Sequence, residues 1–497
     1  MAPGPRLTRR RVLQAAGGLI GAAAPARAEA RGGGAAAQRE AAARAADITG
    51  RLARYVVTAR DRALPPDVAR EARHRILDTL GAIVSGARMK PGEAAIRFVR
   101  TQGGTPEASV LTTDIRTSAI DAALANGMFG HADETDDFEP VTKAHPGCAV
   151  VPAALAMAER EGRSGAELVR AVTLGYDVCC RFLMALGPDH VRATHRSAEG
   201  TSATFGAAAA AAVLARLDEE RTRYVLSYAA QQVSGIWSWT RDNEHIEKAF
   251  DFGGMGARNG VTAALMVQSG FTGVRDVLDG EHNAIEALSA EPKPEEMVAG
   301  LGSRFFVTET AIKTFSVGYP IQAPLDALLT LRRQHQLTAD NVDRIVARLP
   351  ADGARIVDNS AMPDVNCQYI LAVGLLDGGV SFADSHSHER MKDPRVLAVK
   401  ARIELVADRG LMDPAAPRSG AVEVTLRDGR RVTHFTRHAP GTRENPLDTE
   451  GVSAKVRDLM VPVIGSDRAD AVIRRVNALE AVDDVRAFVR SLLATSP

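Results

Sequence analysis

The hydrophobic positions of this chain repeat at helical spacing over most of its length. Ile48, Leu52 and Val56 recur four residues apart, which predicts a helix over residues 47–57, and a second helix starts near Leu64. Residues 202–214 are almost entirely small and apolar, so a helix there needs neighbours on every side. The same spacing predicts further helices at residues 119–129, 150–161, 166–186, 224–233, 260–269, 452–459 and 484–493.

Beyond residue 291 the pattern changes, and polar and apolar positions alternate in several short stretches. Residues 344–349 and 401–406 are predicted strands, and two more strands at 422–426 and 431–435 flank the turn sequence RDGR, a hairpin signal. The sequence therefore predicts a mainly α fold with an inserted α+β domain. Its parts are a large all-helical domain of residues 47–290 and 445–497, and a smaller α+β lid domain of residues 291–444, with a ligand cleft between them.

One polar stretch interrupts the helices, at residues 126–153 (NGMFGHADETDDFEPVTKAHPGCAVVPA). It places several acids and two histidines between two apolar segments that are expected to be buried. Charged side chains in such a position must either pair with each other or take part in function, because an unpaired charge in a protein interior is costly. The alternative is a capped loop, in which Asp136 or Asp137 accepts from backbone N–H groups.

The first residues have the features of an export signal. Arg9 and Arg10 form a twin-arginine pair, a weakly apolar run follows over residues 15–24, and Ala26-Arg27-Ala28 is a small-residue cleavage site. Residues 1–28 are therefore predicted to be a twin-arginine signal peptide and residues 29–46 a flexible linker, which places the mature protein in the periplasm. The alternative is a basic tail without a targeting role.

The net charge and the cysteine content limit the classes of ligand and partner that the protein is expected to bind. The chain has 61 basic and 61 acidic residues, and removal of residues 1–28 leaves 56 basic ones. A mildly acidic protein is a poor candidate for binding nucleic acid or for stable membrane insertion. The four cysteines have no metal-ligand spacing, so free thiols and no metal or cofactor are predicted. His386 and His388 have the spacing of a metal pair, but a solvated loop is favoured because no third ligand is nearby in sequence.

Several segments in a fixed order carry a family resemblance. The polar stretch is similar to the pattern NG…H-A-x-D-x-D-D…HPS…V-x-P-A, and other matching segments are GYDVCCR at 175–181, FGAAAAAAVLARLD at 205–218, the helix led by Lys248, AIKTF at 311–315, NCQY at 366–369, KDPRVLAV at 392–399 and ENPL at 444–447. Over about residues 47–490 the chain resembles the MmgE/PrpD family, which includes 2-methylcitrate dehydratase and cis-aconitate decarboxylase. The resemblance also implies a homodimer.

The chain departs from the family pattern inside the expected pocket. One family acid position falls on Glu134, and Phe138 replaces a threonine that can follow the two aspartates. The second family histidine can be matched only to His195, with the spacing stretched by two residues. A histidine that often follows Lys248 is replaced, and the cluster is longer by one residue before His145. The substrate can therefore differ from those of the named enzymes.

The resemblance implies elimination next to a carboxylate, a reaction that needs proton transfer and cations around a developing dianion. Taken singly, a lysine more often reaches the surface, and Tyr369 would be a core residue. The implied catalytic residues are His145, Asp136, Asp137, Glu134, Lys248, Lys313 and Tyr369, and the implied substrate-binding residues are His195 and His131.

These observations predict a metal-independent lyase that takes a small anionic carboxylate as its substrate. The first choice is a hydro-lyase that dehydrates a hydroxy di- or tricarboxylate, similar to 2-methylcitrate, through a stabilised carbanion. The same residues would serve a decarboxylase or an epimerase acting on a related polycarboxylate. A third alternative is an exported carboxylate-binding protein without turnover.

Overall fold

The structure, a computed structural model, describes residues 47–492. The predicted signal peptide and linker lie outside the described residues, so export and periplasmic location stay predictions. Within residues 47–492 no helix combines the length and the apolar character that a membrane span requires.

Helices dominate the described chain, and each predicted helix is present with bounds that differ by a few residues. α5 begins at Gly147, and a π-helical turn, Phe250–Gly254, joins α10 to α11. The α-helices are α1 Ile48–Ala59, α2 Pro66–Gly86, α3 Lys90–Val99, α4 Ala119–Gly130, α5 Gly147–Glu161, α6 Gly165–Leu186, α7 Pro188–Ala193, α8 Ala198–Leu214, α9 Glu219–Gln231, α10 Ile246–Ala249, α11 Met255–Gln268, α12 Ala284–Leu288, α13 Gln322–His335, α14 Ala351–Val357, α15 Cys367–Asp377, α16 Phe382–Ser385, α17 Pro394–Lys400, α18 Thr449–Ile464, α19 Ser466–Asn477 and α20 Val485–Leu492.

The strands form a two-stranded ribbon and a four-stranded mixed sheet. In the larger sheet the order is β4-β3-β5-β6, with β3 and β4 parallel and the other neighbours antiparallel. The RDGR turn joins β5 to β6 as the sequence predicts, with Thr425 opposite Arg431. The strands are β1 Ala108–Ser109, β2 Arg116–Thr117, β3 Val342–Pro350, β4 Ile403–Asp408, β5 Gly420–Leu426 and β6 Arg431–Thr436.

Buried apolar side chains gather in two large cores. The helical core draws on residues from Ile48 to Ile312 and again from Val452 to Val489, so α18, α19 and α20 return to the first half of the chain. The second core lies between the mixed sheet and its helices and runs from Val317 to Leu426. A mainly helical fold with a small α+β part is therefore confirmed, while the domain boundaries themselves stay a prediction.

The alanine-rich helix α8 lies at the centre of the helical core. All its residues are buried, as its composition predicts, and it packs against α5, α6, α9 and α11. Small side chains let these helix axes approach closely. The four cysteines are buried and free, which confirms the prediction of free thiols.

A contact between two glycines places the π-helical turn against α4. A Cβ atom on Gly253 would lie 2.1 Å from the carbonyl oxygen of Gly127, and a Cβ on Gly127 would lie 2.7 Å from the oxygen of Gly253. Only residues without a side chain permit this approach. It brings Lys248 and Phe252 over the end of α4, where the polar stretch begins.

Candidate active site

The polar stretch forms an irregular buried segment between α4 and α5. Every residue from His131 to Glu139 is buried. Phe138 and Ala311 exchange two main-chain hydrogen bonds of 3.0 and 2.7 Å, and this pairing brings Lys313 alongside the segment. The five acids of residues 131–139 therefore lie in the interior, where each needs a partner.

Asp136 is the centre of the cluster. Its carboxylate accepts from Nδ1 of His131 at 2.9 Å and from Nδ1 of His145 at 3.0 Å, and the ammonium of Lys313 lies 3.6 Å away. Burial alone would raise the pKa of this carboxyl group, but the two imidazoles and Lys313 hold it well below its ordinary value. Because the ionised carboxylate only accepts, both Nδ1 atoms carry hydrogen and both Nε2 atoms are free to accept.

His145 is neutral in this setting. Burial lowers its pKa to about 4, an effect that the Asp136 carboxylate opposes and Lys313 increases. The imidazole lies at the wall of a cavity and is 7% exposed. A neutral, oriented imidazole with an accepting Nε2 is suited to take a proton from a carbon acid at neutral pH.

Glu134 brings both predicted lysines into the cluster. Its carboxylate pairs with the ammonium of Lys248 and lies 3.3 Å from that of Lys313, which also donates to the Glu134 carbonyl at 2.7 Å. Lys313 is fully buried and Lys248 is nearly so. Burial lowers the pKa of Lys248, and the neighbouring Lys313 adds to this shift. The site thus places two lysines that share one carboxylate close to a neutral base.

Aromatic rings enclose the polar groups. Phe252 stacks on His131 with ring centroids 4.0 Å apart, and the Lys248 ammonium lies 5.1 Å from the Trp239 ring and 5.2 Å from the Phe252 ring. On the opposite side Phe138 packs on Tyr319 at 4.2 Å. These apolar walls lower the local dielectric constant and thereby strengthen the electrostatic interactions between the polar groups.

A cavity opens between these walls. It measures about 50 Å³ and lies next to a larger one of about 260 Å³, with which it shares lining residues that include Trp239 and Lys248. The smaller cavity is lined by Glu134, Phe138, His145, Arg192, Glu199, Trp239, Lys248, Phe252, Gly318, Tyr319, Pro320, Ile356, Val365 and Arg418. A small anion can reach His145 and Lys248 here, whereas Asp136 lies behind the histidine.

The C-terminal helices support the segment from beneath. Lys455 of α18 lies 2.6 Å from the buried carboxylate of Asp78 in α2 and donates to the carbonyl oxygen of Thr135 at 2.8 Å. Ser85 of α2 bonds to Asp133. These contacts fix the backbone on both sides of Glu134, which itself adopts a left-handed conformation with φ of 55°.

Asp137 has the capping role that the sequence analysis left open. Its Oδ1 accepts from the N–H of Gly147 at 2.9 Å, at the start of α5, and its side chain faces Tyr176 and Asp78 rather than the cavity. Burial raises its pKa to about 7 against the effect of Arg75, and the carboxylates of Asp136 and Asp78 add to the shift.

Replacing Asp137 with asparagine is expected to remove a pH dependence of stability. Between about pH 4 and 7 the folded protein holds a proton on Asp137 that the unfolded chain has lost, so the unfolding free energy falls as the pH rises. Asparagine keeps the acceptor for Gly147. Urea unfolding at pH 5 and pH 8 should show the variant gaining stability relative to wild type at the higher pH. Parallel changes in both proteins would contradict this assignment, and Asp218→Asn, an exposed cap of α9, is the control.

The structure brings six of the nine candidate residues together: His131, Glu134, Asp136, His145, Lys248 and Lys313. Tyr369 is not among them, because its hydroxyl donates to the carbonyl oxygen of Asp384 at 2.5 Å and its ring lies in the second core. His195 is also outside, since its side chain is exposed and its carbonyl oxygen accepts from Trp237. Asp137 lies next to the cluster on its buried side.

The solvated loop predicted for His386 is wrong. Its Nε2 lies 2.9 Å from the carbonyl oxygen of Asp133, so the imidazole packs on the polar segment, and its side chain is only 10% exposed. The contact joins the α+β part of the chain to the site. Its partner lies far away in sequence, so spacing gave no signal for it.

His245 is a site residue that sequence reasoning missed. It adopts a left-handed backbone with φ of 63°, and its Nε2 lies 3.8 Å from Glu134. It precedes Lys248 by three residues, whereas the family histidine follows the lysine. That i, i+3 spacing was the available signal.

The donor atoms of His131, Glu134 and His245 lie within 4.8 Å of one another, which is the spacing of a metal site. The same carboxylate is already paired with Lys248 and Lys313, whose charges would repel a cation. The arrangement therefore suits an anion better than a metal ion, and the absence of a metal stays a prediction.

Two family models match the chain. The MmgE/PrpD N-terminal domain matches residues 50–297, and the MmgE/PrpD C-terminal domain matches residues 315–481.

Curated relatives match over much of the chain at low identity. A cis-aconitate decarboxylase of Homo sapiens is 26% identical, covering 86% of this chain and 91% of that protein. The cis-aconitate decarboxylase-like protein oryM of Aspergillus oryzae is 24% identical, covering 88% and 96%. A mitochondrial 2-methylcitrate dehydratase of Yarrowia lipolytica is 25% identical over 43% of this chain and 44% of that protein.

Proposed function

The chain belongs to the MmgE/PrpD family, and from that premise we propose that it is a lyase acting on a small di- or tricarboxylate through a carbanion. The observation that carries this proposal is the neutral His145, oriented by Asp136, on one wall of a cavity that also exposes the Lys248 ammonium. An acceptor for a proton and a cation for the resulting charge are the two groups that such chemistry requires.

Dehydration is the first reaction that we propose for this site, because His145 and Lys248 offer a base and an acid in one cavity. Nε2 of His145 takes the proton from a carbon next to a substrate carboxylate, and the electron pair is delocalised into that carboxylate. The ammonium groups of Lys248 and Lys313 stabilise the additional negative charge. The C–O bond then breaks as a double bond forms, and Lys248 supplies the proton with which the hydroxyl leaves as water. Its lowered pKa makes Lys248 a stronger acid than an ordinary lysine.

Decarboxylation is the second candidate, and the comparisons favour it. The relatives matched over most of the chain are named for cis-aconitate decarboxylation, whereas the named dehydratase matches less than half. In that reaction the C–C bond to one carboxylate breaks, carbon dioxide leaves, and the carbanion takes its proton from Lys248. The aromatic pair Phe138 and Tyr319 would assist by stripping water from the leaving carboxylate.

Incubation with a panel of 2-methylcitrate, citrate and cis-aconitate tests the proposal. Dehydration should convert the hydroxy acids into absorbing alkenes without gas release, while decarboxylation should release carbon dioxide from cis-aconitate. Proton exchange with solvent and no net product would indicate an epimerase. Ligands that raise the melting temperature without any chemical change would instead indicate a binding protein and would overturn the proposal of a lyase.

A further inference from the structure

Two arginines share the wall of the small cavity with His145 and Lys248. Arg192 comes from α7 and Arg418 from the segment before β5, so the two parts of the fold each contribute one. Their side chains are 14% and 5% exposed. Neither belongs to the motifs that carry the family resemblance.

Both guanidinium groups have donors to spare. Arg418 uses Nη1 for Asp352, at 3.0 and 2.8 Å, and for the carbonyl of Pro417, while Arg192 uses Nη2 for Glu199 at 3.0 Å. Among the described residues, Nε of each arginine is buried without a partner. A guanidinium offers five N–H donors, and its unused edge is suited to receive a carboxylate.

Several cationic side chains lie close together near this wall. Burial lowers the pKa of Lys143 to about 7, and Arg418 and Arg192 both add to that shift while Asp352 and Glu139 oppose it. Arg192 likewise adds to the lowering that burial causes in Arg418, although the bond to Asp352 opposes it. An anion bound near these groups would offset the unfavourable charge interactions at Lys143 and Arg418.

We propose that Arg192 and Arg418 bind a second carboxylate of the substrate, remote from the reacting carbon, and thereby select polycarboxylates over monocarboxylates. The inference rests on the proposed function, since it places the reacting end of the substrate at His145 and Lys248. Phe138 and Tyr319 line the cavity as well and give the carbon skeleton an apolar surface. The site therefore suits a molecule that is anionic at both ends and apolar between them.

The only two tryptophans of the chain supply a binding signal that does not depend on turnover. Trp239 lines both cavities, and the Arg192 guanidinium lies 5.7 Å from the Trp237 ring. Tricarballylate, which has three carboxylates and no hydroxyl to eliminate, and valerate, which has one carboxylate, are the two probes for fluorescence titration.

Arg192→Gln and Arg418→Gln should each weaken tricarballylate binding by at least about tenfold, because each removes a charged hydrogen-bond donor. Valerate binding should change by less than twofold. Since Arg418→Gln leaves Asp352 without its partner, the double variant Arg418→Gln/Asp352→Asn removes both groups, and it should show the same selective loss. Arg348→Gln, on the exposed side of β3, is the matched control and should bind like wild type.

Three results would overturn the inference: equal losses for both probes, a tricarballylate affinity unchanged within twofold, or a wild-type protein that binds tricarballylate no more tightly than valerate. The proposed function fails separately. A wild-type protein that binds tricarballylate through these arginines yet converts no panel substrate would refute turnover and leave the second carboxylate site standing.

Discussion

His145→Asn is expected to lower kcat/KM on the substrate found in the panel by about 10²- to 10⁴-fold, the usual contribution of a positioned general base. Asparagine is the informative choice because its amide N–H can still donate to Asp136, as Nδ1 of the histidine does at 3.0 Å. The variant therefore keeps the buried carboxylate satisfied and loses only the accepting Nε2. Its melting temperature should stay close to that of wild type.

The pH profile gives this prediction a second readout. With the pKa of His145 lowered to about 4, wild-type kcat/KM should rise as the pH increases through that value, because the imidazole must be unprotonated to act as base. The residual activity of His145→Asn should lack that acidic limb. His195→Asn is the matched control, and its exposed site predicts activity within about twofold of wild type. An acidic limb that survives in His145→Asn would assign the base to another group.

Lys248→Met is expected to lower kcat/KM by about 10²- to 10³-fold, as removal of a preorganised charge-stabilising donor does in other enzymes. Methionine fills the space between Trp239 and Phe252 without a charge. Glu134 keeps Lys313 as its partner, so the fold should survive the change. The loss should appear in kcat as well as in KM, because the ammonium is needed most when charge develops on the substrate.

Two further variants test whether the effect of Lys248→Met comes from the loss of an ammonium group at this position. Lys392→Met, at an exposed ion pair with Glu389, removes the same charge from the surface and should leave kcat/KM unchanged. Lys248→Arg should fail to restore activity, since the planar guanidinium does not fit the space of an ammonium between two rings. Lys248→Met activity within threefold of wild type would contradict a role for this cation in the reaction.

The elements that the sequence predicted well are those whose signals are local. Three such signals depend on only a few consecutive residues each: the helical spacing of Ile48, Leu52 and Val56, the uniform apolar character of α8, and the RDGR turn. Short helices such as α3 were missed, because Pro91 and Gly92 near its start weaken the helical pattern.

The candidate site shows the same difference between residues with a local sequence signal and residues without one. His131, Glu134, Asp136 and His145 lie in one buried segment, so their proximity follows from the polar stretch itself. Lys248 and Lys313 are far from this segment in sequence, so only the family resemblance predicted that they belong to the site. Lys313 reaches it through the main-chain pairing of Ala311 with Phe138.

Tyr369 matches a family motif but lies outside the cluster, so its proposed catalytic role stays a prediction. NCQY matches the family pattern, yet Asn366 caps α15 and the tyrosine hydroxyl turns to the backbone of Asp384. The apolar surroundings of the helix start outweigh the motif. Arg192 and Arg418 show the opposite case, since two arginines in unremarkable segments line the same cavity only in the folded chain.

The contact of Lys455 with Asp78 and the Thr135 carbonyl has a consequence for biosynthesis. On the ribosome, α2 and residues 126–153 emerge hundreds of residues before α18 is made. A growing chain therefore lacks Lys455, which pairs with the buried Asp78 carboxylate and donates to Thr135 in the finished protein. We therefore expect the proposed active site to reach its final geometry only after α18 has docked. Premature termination ahead of Lys455 would yield polypeptides that contain every proposed catalytic group and still cannot process substrate.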